Sequence, residues 1–141
     1  YALFSGERPV GAIGLWPVPE SWIDDFRAGI SSESDLKPEQ IAEAGSHPTS
    51  CWYVSGVVLD PAWQHTNAIT NLLRETTLSW AVECDLTFPV RLSAMAISDA
   101  GEKLLAKYGF KLVTPSFKMK DGFSFYERSL ERRDLRLLAA G

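Results

Sequence analysis

Val57-Val58-Leu59-Asp60-Pro61-Ala62-Trp63-Gln64-His65-Thr66-Asn67-Ala68-Ile69 is the stretch on which the reading of this chain turns. The run Ser50 to Leu59 is rich in β-forming residues and stops at Asp60-Pro61, because proline cannot continue a ladder. After a short loop, Ile69, Leu72, Leu73, Thr76, Trp80 and Ala81 fall on one face of a helix predicted over Ala68 to Val82. The first N–H groups of such a helix lack partners within it and the helix dipole is positive there, which suits a phosphate or pyrophosphate. Every strand–helix junction has that property, so the spacing of the surrounding residues has to decide its use.

Upstream, Ala2 to Phe4 and Val10 to Leu15 read as a hairpin around Ser5-Gly6-Glu7-Arg8, with Gly11 and Gly14 marking a bulge or a close backbone approach. Residues 17–49 change character. Four prolines and many acidic residues frame two short helices, Glu20 to Arg27 with Trp22, Ile23 and Phe26, and Pro38 to Ala44 with Ile41. That segment is either a mobile substrate-side insertion or a plain connection whose helices pack on the sheet. Gly56 is the expected bulge in Ser50–Leu59. Downstream, Asp85 to Pro89 breaks the helix and Val90 to Ala96 alternates as a strand. Asp99 with Glu102 reads as a capping box, and Leu104, Leu105 and Tyr108 form a stripe that ends at Gly109. Phe110 to Val113 and Phe123 to Leu130 are the last strands, followed by an amphipathic tail from Glu131 to Ala140. The order predicts an α/β (α+β) fold on a mixed, mostly antiparallel sheet with a central parallel pair, Ser50–Leu59 beside Val90–Ala96.

The chain has 141 residues, enough for one domain with a sizeable core, and 45% hydrophobic with 23% charged residues is a globular composition. Residues 1–141 are therefore read as a single domain. Fourteen Lys and Arg against 18 Asp and Glu give a net charge of −4, which argues against a nucleic-acid partner. No stretch reads as a membrane span, and the expected location is cytoplasmic. The sequence opens at Tyr1 without a basic and apolar leader, as expected of a piece of a longer or processed chain. Cys51 and Cys84 are too few for a disulfide framework or zinc site, so no metal is expected. No spacing ties His47 or His65 to either thiol.

Taken together, Leu59-x-Pro61, then Gln64, then Leu72-Leu73 resemble the acetyl-CoA motif of the GNAT superfamily of N-acetyltransferases. That motif runs apolar-x-Pro, two residues, Gln/Arg-x-x-Gly-x-Gly/Ala, with a Leu-Leu pair further along the helix. Ser98 to Phe110, ending Leu104-Leu105-Ala106-Lys107-Tyr108-Gly109-Phe110, is similar to the family's later helix and its Gly-Phe ending. Phe125 to Leu130 resembles its closing strand. The resemblance covers most of Tyr1 to Leu130; the family's usual first strand and helices, which help line its acceptor site, precede the hairpin and are not in this sequence.

The resemblance implies the acyl-CoA N-acyltransferase fold, with the parallel pair splayed and a pantetheine arm lying in the gap. Backbone groups of Val57 and Leu59 would bond to that arm. The loop Gln64, His65, Thr66, Asn67, Ala68 and Ile69 would hold the pyrophosphate, and Ser98 stands where an Asn often contacts the cofactor. The implied reaction is acetyl transfer from acetyl-CoA to a primary amine by direct attack, with the backbone near Leu59 polarising the thioester. No residue identifies itself as catalytic; Asp60, Tyr53 and Glu127 are candidate bases. The sequence departs from the motif at Asn67 and Ile69, which replace small motif residues, and at Leu105, which replaces a Tyr that protonates the leaving thiolate. Tyr108 follows one turn later. These departures keep open the alternative of an inactive GNAT-like domain serving as a CoA-binding or protein-interaction module, and a homodimer is likewise left open. A doubly wound nucleotide binder is disfavoured, since no glycine-rich phosphate loop follows a strand.

Overall fold

A computed structural model of the chain describes residues 1–64 and 66–140, with side chains described as far as residue 137. Six strands, β1 (Ala2–Ser5), β2 (Arg8–Pro17), β3 (Thr49–Leu59), β4 (Leu86–Ala96), β5 (Lys111–Thr114) and β6 (Ser124–Leu130), form one sheet in the order β1-β2-β3-β4-β6-β5. The helices are α1 (Glu20–Arg27), α2 (Pro38–Ala44), α3 (Ala68–Glu83), α4 (Asp99–Lys107) and α5 (Arg132–Ala140). All pairings are antiparallel except β3 with β4, which run parallel and are joined by α3, as the strand order predicts.

The sheet separates two cores. On one face α1 lays Trp22, Ile23 and Phe26 against Cys51, Tyr53 and Phe125. Trp22 stacks on Phe26 at 4.9 Å, and Tyr53 and Phe125 meet Phe26 edge-on. In the segment before β3, α1 is thus packed on the sheet. On the other face Trp80 of α3 meets Trp52 edge-on at 5.5 Å, over Val90, Leu92 and Leu130. Of the stripe expected on α3, Leu72, Thr76 and Trp80 are buried together with Ala68, while Ile69, Leu73 and Ala81 are half-buried.

Three local expectations need correction. β4 begins at Leu86, four residues before the expected Val90, and runs through a cis Phe88–Pro89 bond. Proline is tolerated because the ladder to β3 is irregular there, passing from Thr49↔Leu86 to Cys51↔Arg91, and pairing with β6 starts only at Val90. Pro89 therefore removes no ladder bond. The bulge lies at Ser55, not Gly56: β2 pairs Gly14↔Gly56 and then Leu15↔Val54, which leaves Ser55 as the extra residue. Its hydroxyl accepts from the Trp16 indole N–H at 2.7 Å. The cap of α4 is Ser98 and not Asp99, with the Ser98 hydroxyl accepting from Gly101 N–H at 3.1 Å. Gly109, at φ +81, ends this helix as expected.

Candidate functional site

The bulge and the parallel pair together create a gap in the sheet. β3 and β4 pair from Thr49 to Val54, the last partners being Val54↔Ala94. Beyond that point β3 continues to Leu59 and β4 to Ala96 without pairing to each other. β3 keeps only β2 as a neighbour there, through Ala12↔Val58, Ile13↔Val57 and Gly11↔Leu59. Asp60 N–H donates to Val10 C=O at 2.7 Å. In an antiparallel ladder, bonded and non-bonded pairs alternate, so Ala12↔Val58 is a bonded pair while Ile13↔Val57 and Gly11↔Leu59 are not. The N–H and C=O of Val57 and Leu59 consequently face the gap. The Leu59 carbonyl already accepts from the Gln64 side-chain amide at 3.2 Å.

At the end of β3 the chain turns through a 3-10 turn, Pro61–Trp63, into α3. Asp60 Oδ1 accepts from Ala62 N–H at 2.9 Å and its Oδ2 pairs with Arg8 at 2.8 Å. Thr66 closes the loop: its hydroxyl donates to Trp63 C=O at 2.7 Å and accepts from Ala68 N–H at 3.1 Å. Asn67 is the residue preceding α3, at φ −77, so its tolerance of left-handed angles is not used. Gln64, Thr66, Asn67, Ala68 and Ile69 thus surround one helix N-terminus at the open end of the gap. Ala68 is buried and Ile69 half-buried. His65 lies outside the described residues. Ser98 is exposed at the start of α4 with its hydroxyl committed to the cap.

None of the three candidate bases is a free carboxylate or phenolate. Asp60 is held by its turn and by Arg8, as above. Tyr53 is 1% exposed and its hydroxyl donates to Glu33 Oε2 at 3.1 Å. Burial, then the Glu33 charge, push its phenol far up, so it stays protonated. Glu127 is gripped by Arg91 through Nη2 at 2.9 Å and Nε at 3.3 Å, while Arg91 Nη1 reaches Asp24 at 2.8 Å. Burial alone would lower the Arg91 pKa, but the hydrogen bonds to Glu127 and Asp24 outweigh it and raise it further. This cluster ties α1 to β4 and β6. Both thiols are pushed up, chiefly by burial, so neither Cys51 nor Cys84 is a ready thiolate.

A cavity of about 410 Å³ opens beside the gap, over the sheet between α3, α4 and α5. Val54 and Val57 line it from β3, Leu105 and Tyr108 from α4, and Trp80 from α3. The Tyr108 carbonyl accepts from Arg128 Nη1 at 2.5 Å, which fixes the end of α4 over β6. Sequence reasoning missed this cavity, the Ser55–Trp16 pair and the Arg91 cluster. No local signal marked the second, because the space for the Ser55 hydroxyl is left by Gly14 on the neighbouring strand.

No family model matches the chain, and no curated protein matches it. Solved structures do. A provisionally assigned acetyltransferase from Staphylococcus aureus Mu50 is 16% identical with a TM-score of 0.53, over 93% of this chain and 71% of its own. An agmatine N-acetyltransferase variant is 13% identical with a TM-score of 0.51, over 92% and 75%. The Drosophila melanogaster polyamine N-acetyltransferase, an enzyme that forms N-acetylagmatine, is 12% identical with a TM-score of 0.52, over 92% and 73%. At these identities the likeness concerns architecture, and with the splayed parallel pair it establishes that the chain has the GNAT acyl-CoA N-acyltransferase fold.

Proposed function

We propose that residues 1–141 act as one acyl-CoA-dependent N-acyltransferase domain, with acetyl-CoA as the smallest donor and a primary amine as acceptor. The observation that carries this reading is the gap between β3 and β4, edged by the outward-facing backbone groups of Val57 and Leu59 and ending at the N-terminus of α3. A pantetheine arm is an extended chain of amides, and it can pair with an unpaired strand edge as a further strand would. The pyrophosphate then reaches Gln64 to Ile69, where the helix dipole favours an anion. The half-buried Ile69 limits how closely the phosphates approach. The Ser98 hydroxyl accepts from Gly101 N–H in the cap, and its own O–H remains a donor that can reach the cofactor.

Two neighbours of this fold act on agmatine, which is in keeping with an amine acceptor. The amine attacks the thioester carbon directly, the carbonyl oxygen gathers charge beside the strand edge, and the CoA thiolate departs. The raised thiol pKa values of Cys51 and Cys84 support a route without an acyl-cysteine. Asp60, Tyr53 and Glu127 are all engaged with other partners; the ammonium must lose one proton before attack, and the proton left on nitrogen after addition passes to solvent as the C–S bond breaks. With Leu105 in place of an acid the thiolate leaves unassisted, which is tolerable for a thiol of pKa near ~8.5.

Isothermal titration with acetyl-CoA, followed by CoA-thiol release in the presence of primary amines, tests the reading. Binding and amine-dependent release are expected, and replacing Cys51 and Cys84 together by Ser preserves both. An absence of heat and of thermal shift at millimolar acetyl-CoA overturns the donor site; binding without release for any amine overturns the catalytic part.

A further inference from the structure

We propose that the cavity between α3, α4, α5 and the sheet is an acyl-chain pocket, so that a medium-chain acyl-CoA is a better donor than acetyl-CoA. The inference rests on the donor-site reading above and specifies its substrate class.

The sheet itself forces the choice of route. A donor threading the gap from the α3 N-terminus meets the closed ladder at Val54↔Ala94. A chain longer than acetyl must leave the plane of the sheet at that point. On the α1 face the next residue is Tyr53, 1% exposed beneath Trp22 and Phe26, and the Arg91–Glu127 pair sits beside it on β4 and β6. At that point the α1 face is filled by Tyr53, Trp22 and Phe26. On the α3 face Val54 and Val57 open directly into the cavity, whose further walls are Leu92, Phe110, Leu130 and Trp80. Its volume of about 410 Å³ lies within the range of sites that bury small ligands.

The chemistry of the walls fits a hydrocarbon. Leu73, Leu104 and Leu105 narrow the cavity from the two helices, and its charged lining residues, Arg74, Lys107 and Arg128, are all cations. An ammonium acceptor would be repelled there, whereas an apolar chain on a phosphate-bearing carrier would not. Leu105, which stands where a catalytic acid would be expected, becomes part of the apolar lining. One wall residue also supplies a probe: Thr76 is 3% exposed, lines the cavity, and its hydroxyl has no hydrogen-bond partner among the described residues. Replacing it with a longer apolar side chain takes space from the cavity and breaks no bond.

The test is a chain-length series, acetyl- through decanoyl-CoA, on the intact chain with one amine held constant. Each methylene that enters the cavity should raise kcat/KM by up to roughly fourfold, carried mainly by KM. An octanoyl preference over acetyl of at least about tenfold is expected. Thr76→Met should cut that ratio by about tenfold by excluding two methylenes, with an unchanged or higher melting temperature; Leu104→Phe narrows the opposite wall and covers the case in which the first variant misfolds. If acetyl-CoA is turned over as well as octanoyl-CoA, the pocket is wrong and the donor site stands. If no acyl-CoA of any length binds or reacts, the donor site itself is wrong. Free octanoate that stabilises the protein as much as octanoyl-CoA, with turnover flat in chain length, also overturns the pocket.

Discussion

Two adjacent prolines test the direction of the strand edge. Val57 and Val58 lie beyond the last β3–β4 partners, so each has only β2 as a neighbour. Val58 is in the bonded pair with Ala12, and Val57 is in the non-bonded pair with Ile13. Val58→Pro therefore removes a ladder donor, leaves the Ala12 carbonyl without its partner and should cost about 3 kcal/mol, or roughly 10 °C in melting temperature. Val57→Pro removes only an N–H that faces the gap, and Gly56 before it accepts the restriction that proline imposes on its predecessor. Its fold should survive with a loss below about 1 kcal/mol. Its donor affinity should nevertheless fall, because one hydrogen bond contributes about 0.5–1.5 kcal/mol, equivalent to roughly two- to thirteenfold in Kd. The proline ring also projects into the gap, which makes that range a lower bound. Melting curves with and without acetyl-CoA, and titration calorimetry on both variants, read out the two effects separately. A Val57→Pro protein that folds and binds acetyl-CoA as tightly as the parent would refute the assignment of the Val57 edge. One that melts as early as Val58→Pro would refute the register argument.

Gly29 follows α1 at φ +77, and a Cβ there would lie 2.1 Å from the Lys118 carbonyl oxygen. Gly29→Ala combines left-handed strain with a backbone clash and should destabilise by about 2–4 kcal/mol, seen as a melting temperature lower by roughly 10 °C; an unchanged midpoint contradicts the close approach of α1 to the 116–118 turn. The buried Tyr53 phenol, raised by burial and then by Glu33, gives an alkaline signature. Its folded pKa exceeds its unfolded value, so its contribution is complete below the unfolded value of about 10 and is lost as pH rises further. Tyr53→Phe should flatten the fall in melting temperature between about pH 9 and about pH 11, and an identical alkaline limb in both proteins rules out the buried hydroxyl as its source.

The elements that were legible in the sequence are those whose signal is local. Trp22, Ile23 and Phe26 at helical spacing gave α1 its bounds, and Pro38 gave α2 its start. The parallel pair followed from strand–helix–strand order alone. What was misread depends on a partner strand. Pro89 reads as a breaker until one knows that its edge of β4 has no ladder bond to lose. Ser98 and Asp99 are both good caps in adjacent positions, and only the backbone, extended at Ser98 with φ −153, chooses between them.

The candidate site divides along the same line. Its anion end was legible because Asp60-Pro61 and the start of α3 are consecutive in sequence, and the cap there is made by Thr66, within the predicted loop. Its gap was not legible as geometry, because the divergence after Val54 depends on a bulge at Ser55 whose cause is spread over two strands. The side chain Gly14 lacks would meet the Ser55 hydroxyl at 2.2 Å, and Trp16, two residues on, donates to that hydroxyl. Absence of a side chain at one position and an indole at another thus hold the extra residue of β3. The bulge also restores Val57 and Leu59 to the α3 side after Trp52 and Val54, so that Val57 lines the cavity and Leu59 approaches Leu72 over Gly11. An unbulged strand would turn Gly56 and Val58 to that face instead, and the backbone groups now facing the gap would bond to β2. The one-residue insertion at Ser55 thereby decides both which side chains wall the cavity and which amides edge the gap.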